Sequence, residues 1–402
     1  MSAKSTDVLV IGGGYAGVMA ANRLTLREDV SVTLVNPRPD FVHRIRLHQL
    51  VGGTDPALVD YREVLAGGVR LVVDAVTRID VAGRRVELAG GGTAGYDHLV
   101  YAVGSGSADA GVPGAAEHAY PLATFEEASR LRPVLEAAPA DAPVTVVGAG
   151  PTGIETAAEL AGEGRAVTLV CGGVLGPYLH PRARRSVARR LAALGVRVLD
   201  GPGTRVTAVT AGSVRLADGR EQAGRITVWT AGFAVPDLAA RSGLTTDALG
   251  RLITDETLTS VDDDRIVAAG DSAAPSDLPL RMSCQAAIPL GARAADTVLS
   301  RIGGERPENL SQLLAGQCLS LGRHDGLFQF SHMSDVAGPL HIDGRTGAKL
   351  KEFVCQGILK HLSGEARRPG GFRLHRVPGR TRQKLLAAAR AAETRASAQP
   401  VA

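Results

Sequence analysis

Residues 7–38, DVLVIGGGYAGVMAANRLTLREDVSVTLVNPR, decide the fold of this chain. A short apolar run leads into a glycine-rich turn, an alanine-rich stretch follows, and a second apolar run closes the segment. This order is typical of a strand–helix–strand unit, in which the two strands pair in parallel and the helix crosses over between them. The segment therefore predicts an α/β fold.

The same unit occurs a second time at residues 143–173, PVTVVGAGPTGIETAAELAGEGRAVTLVCGG. Both copies carry three glycines at the spacing GxGxxG, namely Gly12, Gly14, Gly17 and Gly148, Gly150, Gly153. The first glycine permits a tight turn, the second lets a pyrophosphate approach the backbone, and the third lets helix and strand pack closely. One such turn is a weak signal. Because each copy follows a strand and opens a helix, we predict two dinucleotide sites.

One expected residue is absent from both copies. A carboxylate usually follows the second strand of this unit and binds the adenosine ribose. That position holds Asn36 in the first copy and Cys171 in the second. Asn36 can still hydrogen-bond a ribose hydroxyl, but Cys171 neither binds ribose strongly nor repels the 2′-phosphate of NADPH. Arg182, Arg184 and Arg185 follow as either a helix surface or a phosphate site, so the choice between NADH and NADPH stays open.

Composition narrows the class of protein. A chain of 402 residues is long enough for two or three domains. Aromatic residues make up only 3% and the net charge is +4, so no nucleic-acid partner is expected. The four cysteines lack CxxC spacing, which predicts reduced thiols and no metal site. We expect a cytoplasmic protein, because no secretion signal precedes the first strand and no apolar run is long enough to span a membrane.

Further strands complete a larger pattern. Residues 96–105 (YDHLVYAVGS), 225–233 (RITVWTAGF) and 265–273 (RIVAAGDSA) each contain an apolar strand that ends in small residues. Together with the two glycine turns, and in this order, they resemble the two-dinucleotide flavoprotein family, which includes pyridine nucleotide–disulfide reductases and type II NADH dehydrogenases. The resemblance covers about residues 7–300. It implies that the first unit holds FAD and that the second holds NADH or NADPH.

The resemblance also implies a domain plan, with two Rossmann-like domains, the NAD(P) domain inserted in the FAD domain, and a small C-terminal α+β region. We predict a discontinuous FAD domain at residues 1–115 and 252–305. The NAD(P)H domain is predicted at 116–251, and an interface or anchor region at 306–402.

The cofactor contacts implied by the resemblance form two sets. For FAD they are Gly12, Gly14, Tyr15, Ala16, Gly17, Asn36, Pro37, Arg44, Val76, Ala102, Gly104 and Asp271. For the nicotinamide nucleotide they are Gly148, Gly150, Pro151, Thr152, Gly153, Cys171 and Gly232. Asp271 is implied to meet the ribityl chain of the flavin, and an ordinary helix N-cap is the alternative. Arg44 could instead contact a phosphate.

The family's disulfide reductases carry a CxxxxC pair on the helix after the first unit. The corresponding residues 40–53, DFVHRIRLHQLVGG, contain no cysteine. The resemblance therefore points to the type II NADH:quinone oxidoreductase branch, in which electrons pass from the flavin to an external acceptor. The expected reaction is hydride transfer from the nicotinamide to flavin N5, followed by electron delivery to a quinone or another small acceptor.

Three candidate catalytic residues follow from that branch. Glu155 is implied to act as a gatekeeper near the nicotinamide and the acceptor, and a capping or surface role is the alternative. Gln285 matches a glutamine placed beside the flavin, although residues 288–290 (IPL) stand where a second glutamine often follows. Arg46 is expected to contact the flavin, with a solvated basic loop as the alternative. Cys284 is expected to be a small buried residue rather than a redox thiol.

The C-terminal hundred residues carry one clear pattern. Residues 347–362, GAKLKEFVCQGILKHL, predict an amphipathic helix. The residues assigned to its apolar face are Leu350, Phe353, Val354, Gly357 and Ile358. The helix could lie on the inner face of a membrane, pack on the FAD domain or form a homodimer contact.

Other functions remain open at this point. The chain could be a reductase for a ferredoxin or monooxygenase partner, or a flavoenzyme that acts on one metabolite of a pathway. It could also be a redox sensor that binds nucleotides without turnover.

Overall fold

The computed structural model describes residues 5–108, 110–312, 314–374 and 380–398. Two parallel sheets of five strands each form its centre, and a three-stranded antiparallel sheet accompanies each of them. A third antiparallel sheet lies in the C-terminal region.

The first parallel sheet is built around the opening unit. Its strands lie in the order Ile266–Ala268, His98–Tyr101, Thr6–Ile11, Val30–Asn36 and Val69–Val73. Helix Tyr15–Leu24 crosses between its third and fourth strands, and helix Cys284–Ile302 packs against that helix. A Cβ at Gly291 would lie 2.2 Å from the carbonyl oxygen of Ala16, so glycine permits this close helix contact.

The second parallel sheet repeats this topology. Its strands lie in the order Ala119–Pro121, Ile226–Trp229, Val144–Val147, Val167–Val170 and Arg197–Leu199. Its helices are Phe125–Ala137, Pro151–Gly162 and Pro181–Ala193. The antiparallel sheet beside the first domain consists of Val76–Asp80, Arg85–Leu88 and Thr93–Gly95. The one beside the second domain consists of Val206–Val209, Ser213–Leu216 and Glu221–Ala223.

The chain leaves the first sheet, builds the second and then returns. Strand Ile266–Ala268 follows the whole second sheet in sequence, yet it pairs in parallel with His98–Tyr101 of the first sheet. This topology is that of one Rossmann-like domain inserted in another, and it confirms the predicted fold class. The residue bounds given above for the three domains stay a prediction.

Short elements connect these layers. The small strand pairs are Asp40–Val42 with Leu58–Asp60, Gly106–Ser107 with Phe233–Ala234, and Leu252–Thr254 with Ala273–Pro275. The short helices are Leu47–Gly52, Tyr61–Val64, Ala115–His118 and Leu238–Arg241. The 3₁₀ turns are Arg44–Arg46, Pro202–Thr204 and Gly270–Ser272.

The C-terminal region is a three-stranded sheet covered by a long helix. Its strands are Gly316–Ser320, Gly326–Ser331 and Ala337–Asp343, and its helices are Gly344–Arg367 and Arg380–Ala398. The helix predicted at residues 347–362 therefore exists, and it packs on the first domain and on its own sheet. None of the described helices combines the length and the apolar character needed to cross a bilayer.

The predicted apolar face of that helix was wrong at Phe353, whereas Ile358 is buried and Val354 packs against the core. The buried face consists of Gly347, Lys351, Cys355, Ile358, Leu362 and Glu365. Phe353, which was assigned to the apolar face, is 69% exposed. The assignment followed the apolar letters alone, whereas the helix buries a lysine and a glutamate because each has an ionic partner elsewhere in the fold.

Gly17→Ala is expected to lower the free energy of unfolding by about 1–3 kcal/mol. The added Cβ would lie 1.8 Å from the carbonyl oxygen of Gly12, which the turn cannot move without distortion. Gly14→Ala is the matched control, because its Cβ would meet nothing within 4 Å. Urea unfolding of the cofactor-free protein, followed by circular dichroism, measures both variants. Equal losses would contradict the close packing assigned to Gly17.

Candidate active site

The first glycine turn forms an open cradle at the carboxyl edge of its sheet. Gly14 is the N-cap of helix Tyr15–Leu24, and no side chain caps that helix. A Cβ at Gly14 would meet nothing within 4 Å, so an anion can reach the helix amides. Gly12 has a φ of +99°, and a Cβ there would lie 2.3 Å from the carbonyl oxygen of Ala102. The cradle therefore fits the pyrophosphate of a dinucleotide.

Asn36 is hydrogen-bonded to the loop that forms this cradle. Its Oδ1 accepts a hydrogen bond from the Gly13 N–H at 2.9 Å, and its Nδ2 donates to the Arg38 carbonyl at 3.0 Å. The Tyr61 hydroxyl donates to the Gly13 carbonyl at 2.7 Å. The Asn36 side chain is thus buried and hydrogen-bonded to the loop, whereas the neighbouring Pro37 is exposed. The ribose contact assigned to Asn36 stays a prediction.

Two predicted FAD contacts meet through a serine that the sequence did not single out. The Ser105 hydroxyl donates to Asp271 Oδ2 at 2.7 Å and accepts from Arg44 Nη1 at 2.9 Å. Arg44 Nη1 also lies 3.6 Å from Asp271 Oδ2. Asp271 lies within the turn Gly270–Ser272 and does not cap a helix. A carboxylate, a guanidinium and a hydroxyl therefore lie together beside the first cradle.

The remaining predicted residues of the first domain lie on three of its elements. Tyr15, Ala16 and Gly17 form the first turn of the helix, and Gly104, with φ +72°, precedes Ser105. Val76 begins the antiparallel strand that follows the edge strand paired with Asn36. Their contacts with a cofactor stay predictions.

The second glycine turn repeats the first. Gly150 is the N-cap of Pro151–Gly162, has no capping side chain, and would place a Cβ in open space. A Cβ at Gly153 would lie 1.8 Å from the Gly148 carbonyl oxygen, the same distance as in the first turn. The Thr230 hydroxyl fixes this turn by donating to the Val147 carbonyl at 2.9 Å. Pro151 and Thr152 begin the helix, and Gly232, with φ +87°, follows Thr230.

The edge of the second sheet differs from the first. Cys171 is half-buried, and burial together with the nearby Asp200 carboxylate raises the pKa of its thiol to about 12. Arg184 donates to the Leu179 carbonyl at 3.1 Å. Arg182 and Arg185 are exposed on helix Pro181–Ala193.

Glu155 is buried where both domains and the C-terminal region meet. Its Oε1 lies 2.9 Å from Lys351 Nζ and accepts the Ser320 N–H at 2.8 Å. His48 Nδ1 lies 3.8 Å from Oε2. Burial alone would raise the pKa of Glu155, but the charge of Lys351 and the hydrogen bonds from Lys351 and the Ser320 N–H lower it. The pKa of Lys351 lies well above its usual value because Glu155 outweighs burial, so the pair is ionised.

Two neutral histidines lie beside this ion pair. His43 and His48 are both buried, and burial lowers the pKa of each to about 4. His43 Nδ1 lies 3.1 Å from the Tyr15 hydroxyl. Among the described residues, neither Nε2 atom has a hydrogen-bond partner. Because buried polar atoms are normally paired, these two nitrogens fit contacts with a bound molecule or water.

Arg46 binds the C-terminal helix. Its Nη2 donates to Glu352 Oε1 at 2.6 Å, and its Nη1 donates to Gln49 Oε1 at 2.7 Å. Its Nε lies 3.6 Å from Asp55 Oδ2. Arg46 is therefore not part of a solvated basic loop, and its flavin contact stays a prediction.

Gln285 contacts the start of the C-terminal sheet. With its amide oriented to suit its neighbours, it donates to the Gly316 carbonyl at 3.0 Å and accepts from the Ala315 N–H at 3.2 Å. The strand that starts there, Gly316–Ser320, ends at the residue that binds Glu155. One short strand therefore connects Gln285 with Glu155.

Three cysteines lie near Lys351. Cys355 is buried, and Cys284 and Cys318 are half-buried. Burial raises the pKa of Cys284 to about 12 and that of Cys355 to about 11. Thiols of this kind are protonated and poor nucleophiles at neutral pH.

The sequence analysis missed Lys351, Ser320 and His48 as members of this site. Lys351 gave a usable signal, because it stands on the stripe that continues through Cys355 and Ile358 at helical spacing. A lysine on such a stripe is buried only with a partner. Ser320 gave none, because it contributes a backbone N–H.

Fold and site together define a protein with two dinucleotide cradles and no dithiol after the first unit. The family model of pyridine nucleotide-disulphide oxidoreductases matches residues 6–291. The chain belongs to this family, which confirms the predicted resemblance and the predicted class of FAD- and nicotinamide-dependent oxidoreductase.

Individual proteins are also similar to this chain over most of its length. An NADH dehydrogenase-like protein of Mycobacterium tuberculosis is 34% identical over a gapped alignment of 325 positions that covers 73% of this chain and 80% of that protein. A type II NADH:quinone oxidoreductase of Staphylococcus epidermidis is 28% identical over a gapped alignment of 413 positions that covers 90% of this chain and 98% of that protein. The sulfide:quinone oxidoreductase structure from Aquifex aeolicus has a TM-score of 0.75 at 20% identity, covering 91% and 93%.

Lys351→Met is expected to lower the free energy of unfolding by about 3–5 kcal/mol, because it leaves the Glu155 carboxylate buried without its counterion. Lys349→Met removes an exposed lysine from the same helix and should change stability by less than about 0.5 kcal/mol. Urea unfolding measures both. Adding Glu155→Gln to Lys351→Met should recover part of the loss, and an additive double variant would contradict the pairing.

Stability is expected to fall as the pH drops from about 6.5 towards about 4. The unfolded chain binds protons at His43 and His48 in this window, whereas their lowered pKa values keep the folded imidazoles neutral. Urea midpoints at about pH 7, 6 and 5 should show a shallower decline for His48→Gln than for the unsubstituted protein. His324→Gln, at an exposed position, is the control. Parallel declines for all three would contradict the burial of a neutral His48.

Proposed function

We propose that the protein oxidises NADH with bound FAD and reduces a small quinone-like acceptor. The observation that carries the proposal is the ionised Glu155–Lys351 pair, buried where the two cradle domains and the C-terminal region meet. The names of the mycobacterial and staphylococcal relatives support NADH as donor, and the latter supports quinone as acceptor.

The first cradle would hold FAD and the second would hold NADH. The uncapped amides after Gly14 would bind the FAD pyrophosphate, and Arg44 and Asp271 would bind polar groups of the same cofactor. The amides after Gly150 would bind the pyrophosphate of NADH. FAD held there would supply the two-electron redox chemistry that connects a nicotinamide nucleotide with the acceptor.

The side chains around Glu155 would stabilise charge on the acceptor and would help to deliver protons to it. Reduction of a quinone places negative charge on its oxygens before two protons are taken up, and the Lys351 ammonium, which its raised pKa keeps charged, would stabilise that negative charge. Glu155 keeps that ammonium charged and in place, with Oε1 2.9 Å away. The neutral imidazole of His48 has one nitrogen near Glu155 and one without a partner, so it can relay a proton between its two sides.

We further propose that the protein works at a membrane surface, where lipophilic quinones reside. The C-terminal region exposes several large apolar side chains, namely Phe330, Met333, Val336, Leu340 and Phe353. Such exposure supports contact with a bilayer surface. The same residues would also suit a homodimer contact.

The purified protein is expected to be yellow, and anaerobic NADH should bleach its flavin. A short-chain quinone should then restore the colour, and Glu155→Gln should slow that second step at least about tenfold while it changes flavin reduction little. Stopped-flow absorbance measures both steps, and vesicle co-sedimentation measures the membrane contact.

Absence of flavin after incubation with FAD, or no bleaching by NADH, would contradict the proposed function. Cytochrome c reduction that requires an added ferredoxin, with no quinone turnover, would favour the partner-protein reductase instead.

A further inference from the structure

Two neighbouring strands of the second sheet, Val167–Val170 and Arg197–Leu199, end side by side. Val170 and Leu199 are parallel partners, and the Cys171 N–H donates to the Leu199 carbonyl at 2.9 Å. Cys171 and Asp200 therefore occupy neighbouring positions at the carboxyl edge of the sheet. This is the edge at which a dinucleotide binds in an open α/β sheet.

Asp200 is an exposed and uncommitted carboxylate. Among the described residues, no hydrogen bond or ion pair engages it, although its charge reaches the Cys171 thiol. Asn36, at the equivalent edge of the first sheet, differs because its side chain is already bonded to the glycine loop. Asp200 can therefore accept hydrogen bonds from a ligand without breaking any in the protein.

Glycine backbone lines this edge of the sheet. Cβ atoms added at four glycines, Gly150, Gly172, Gly173 and Gly201, would meet nothing within 4 Å. The first of these follows the NADH domain's central strand, and the others flank Cys171 and Asp200. The immediate surroundings of these four glycines are therefore open to a ligand whose pyrophosphate lies at the amides after Gly150.

We propose that Asp200 replaces the carboxylate missing at Cys171, binds the adenosine ribose and selects NADH over NADPH. The carboxylate would accept hydrogen bonds from the ribose hydroxyls and repel a 2′-phosphate. No described arginine pairs with Asp200 to reverse this charge, and Arg184 is bonded to backbone carbonyls instead. The proposal rests on the proposed function, because it assigns the second cradle to a nicotinamide nucleotide.

Calorimetric titration with ADP-ribose and 2′-phospho-ADP-ribose tests the assignment without any redox step. The unsubstituted protein should bind ADP-ribose more tightly. Asp200→Asn should weaken ADP-ribose binding about tenfold and remove much of the discrimination against the phosphorylated form. Asp141→Asn removes an exposed acid before the central strand Val144–Val147, at the opposite edge of the sheet, and should change neither affinity.

A rescue variant separates charge from local damage. Cys171→Asp in the Asp200→Asn background returns an acid to the neighbouring strand and should restore most of the ADP-ribose affinity. Tighter binding of 2′-phospho-ADP-ribose by the unsubstituted protein would overturn the proposal, and so would unchanged affinities in Asp200→Asn.

Flavin bleaching keeps the two proposals distinguishable. If NADH bleaches the flavin but Asp200→Asn leaves both affinities unchanged, only the role of Asp200 fails. If neither ADP-ribose form binds and no nucleotide bleaches the flavin, the proposed function fails, and the role of Asp200 is overturned with it.

Discussion

The buried ion pair between Glu155 and Lys351 constrains the rest of this structure. Removing two charges from water carries a penalty of several kcal/mol for each ion, which only good geometry can offset. Here the geometry is supplied by a 2.9 Å contact, by the Ser320 N–H and by the nearby His48. These partners come from both cradle domains and the C-terminal region. The pair is satisfied only when all three parts are assembled.

The residue after Lys351 ties the same helix to the first domain. Glu352 accepts a hydrogen bond from Arg46 at 2.6 Å. Neighbouring residues of one helix turn thus contact different domains, which sets how the C-terminal helix lies across their junction. The cationic charges of Arg46 and Lys351 add to burial in keeping the nearby His43 and His48 neutral. The junction therefore contains one fixed ion pair and two neutral imidazoles in a buried setting. Charges in such a setting act strongly on neighbouring groups.

The sequence predicted what local geometry dictates, and it failed where distant contacts decide. The glycine spacing could be interpreted because a Cβ at Gly17 or Gly153 would lie 1.8 Å from a carbonyl oxygen, so sequence and backbone are tied within a few residues. The stripe of Lys351, Cys355 and Ile358 on the C-terminal helix was visible in the sequence, but the partner that lets Lys351 face inward, Glu155, lies far away in the chain. The bond between Asn36 and Gly13 depends on a loop conformation that the letters do not show, and the ribose contact expected of Asn36 stays a prediction.

The two cradles differ in what the missing carboxylate means for each. A cofactor that stays bound can lose one ribose contact, because its other contacts hold it and it is not chosen anew at every turnover. Asn36, at this edge of the first sheet, hydrogen-bonds Gly13 and Arg38 of the loop. A nucleotide that enters and leaves must be selected each time, and selection between NADH and NADPH depends on charge near the ribose. On this argument a negative charge is needed at the second edge, and Asp200, one strand over from Cys171, provides it.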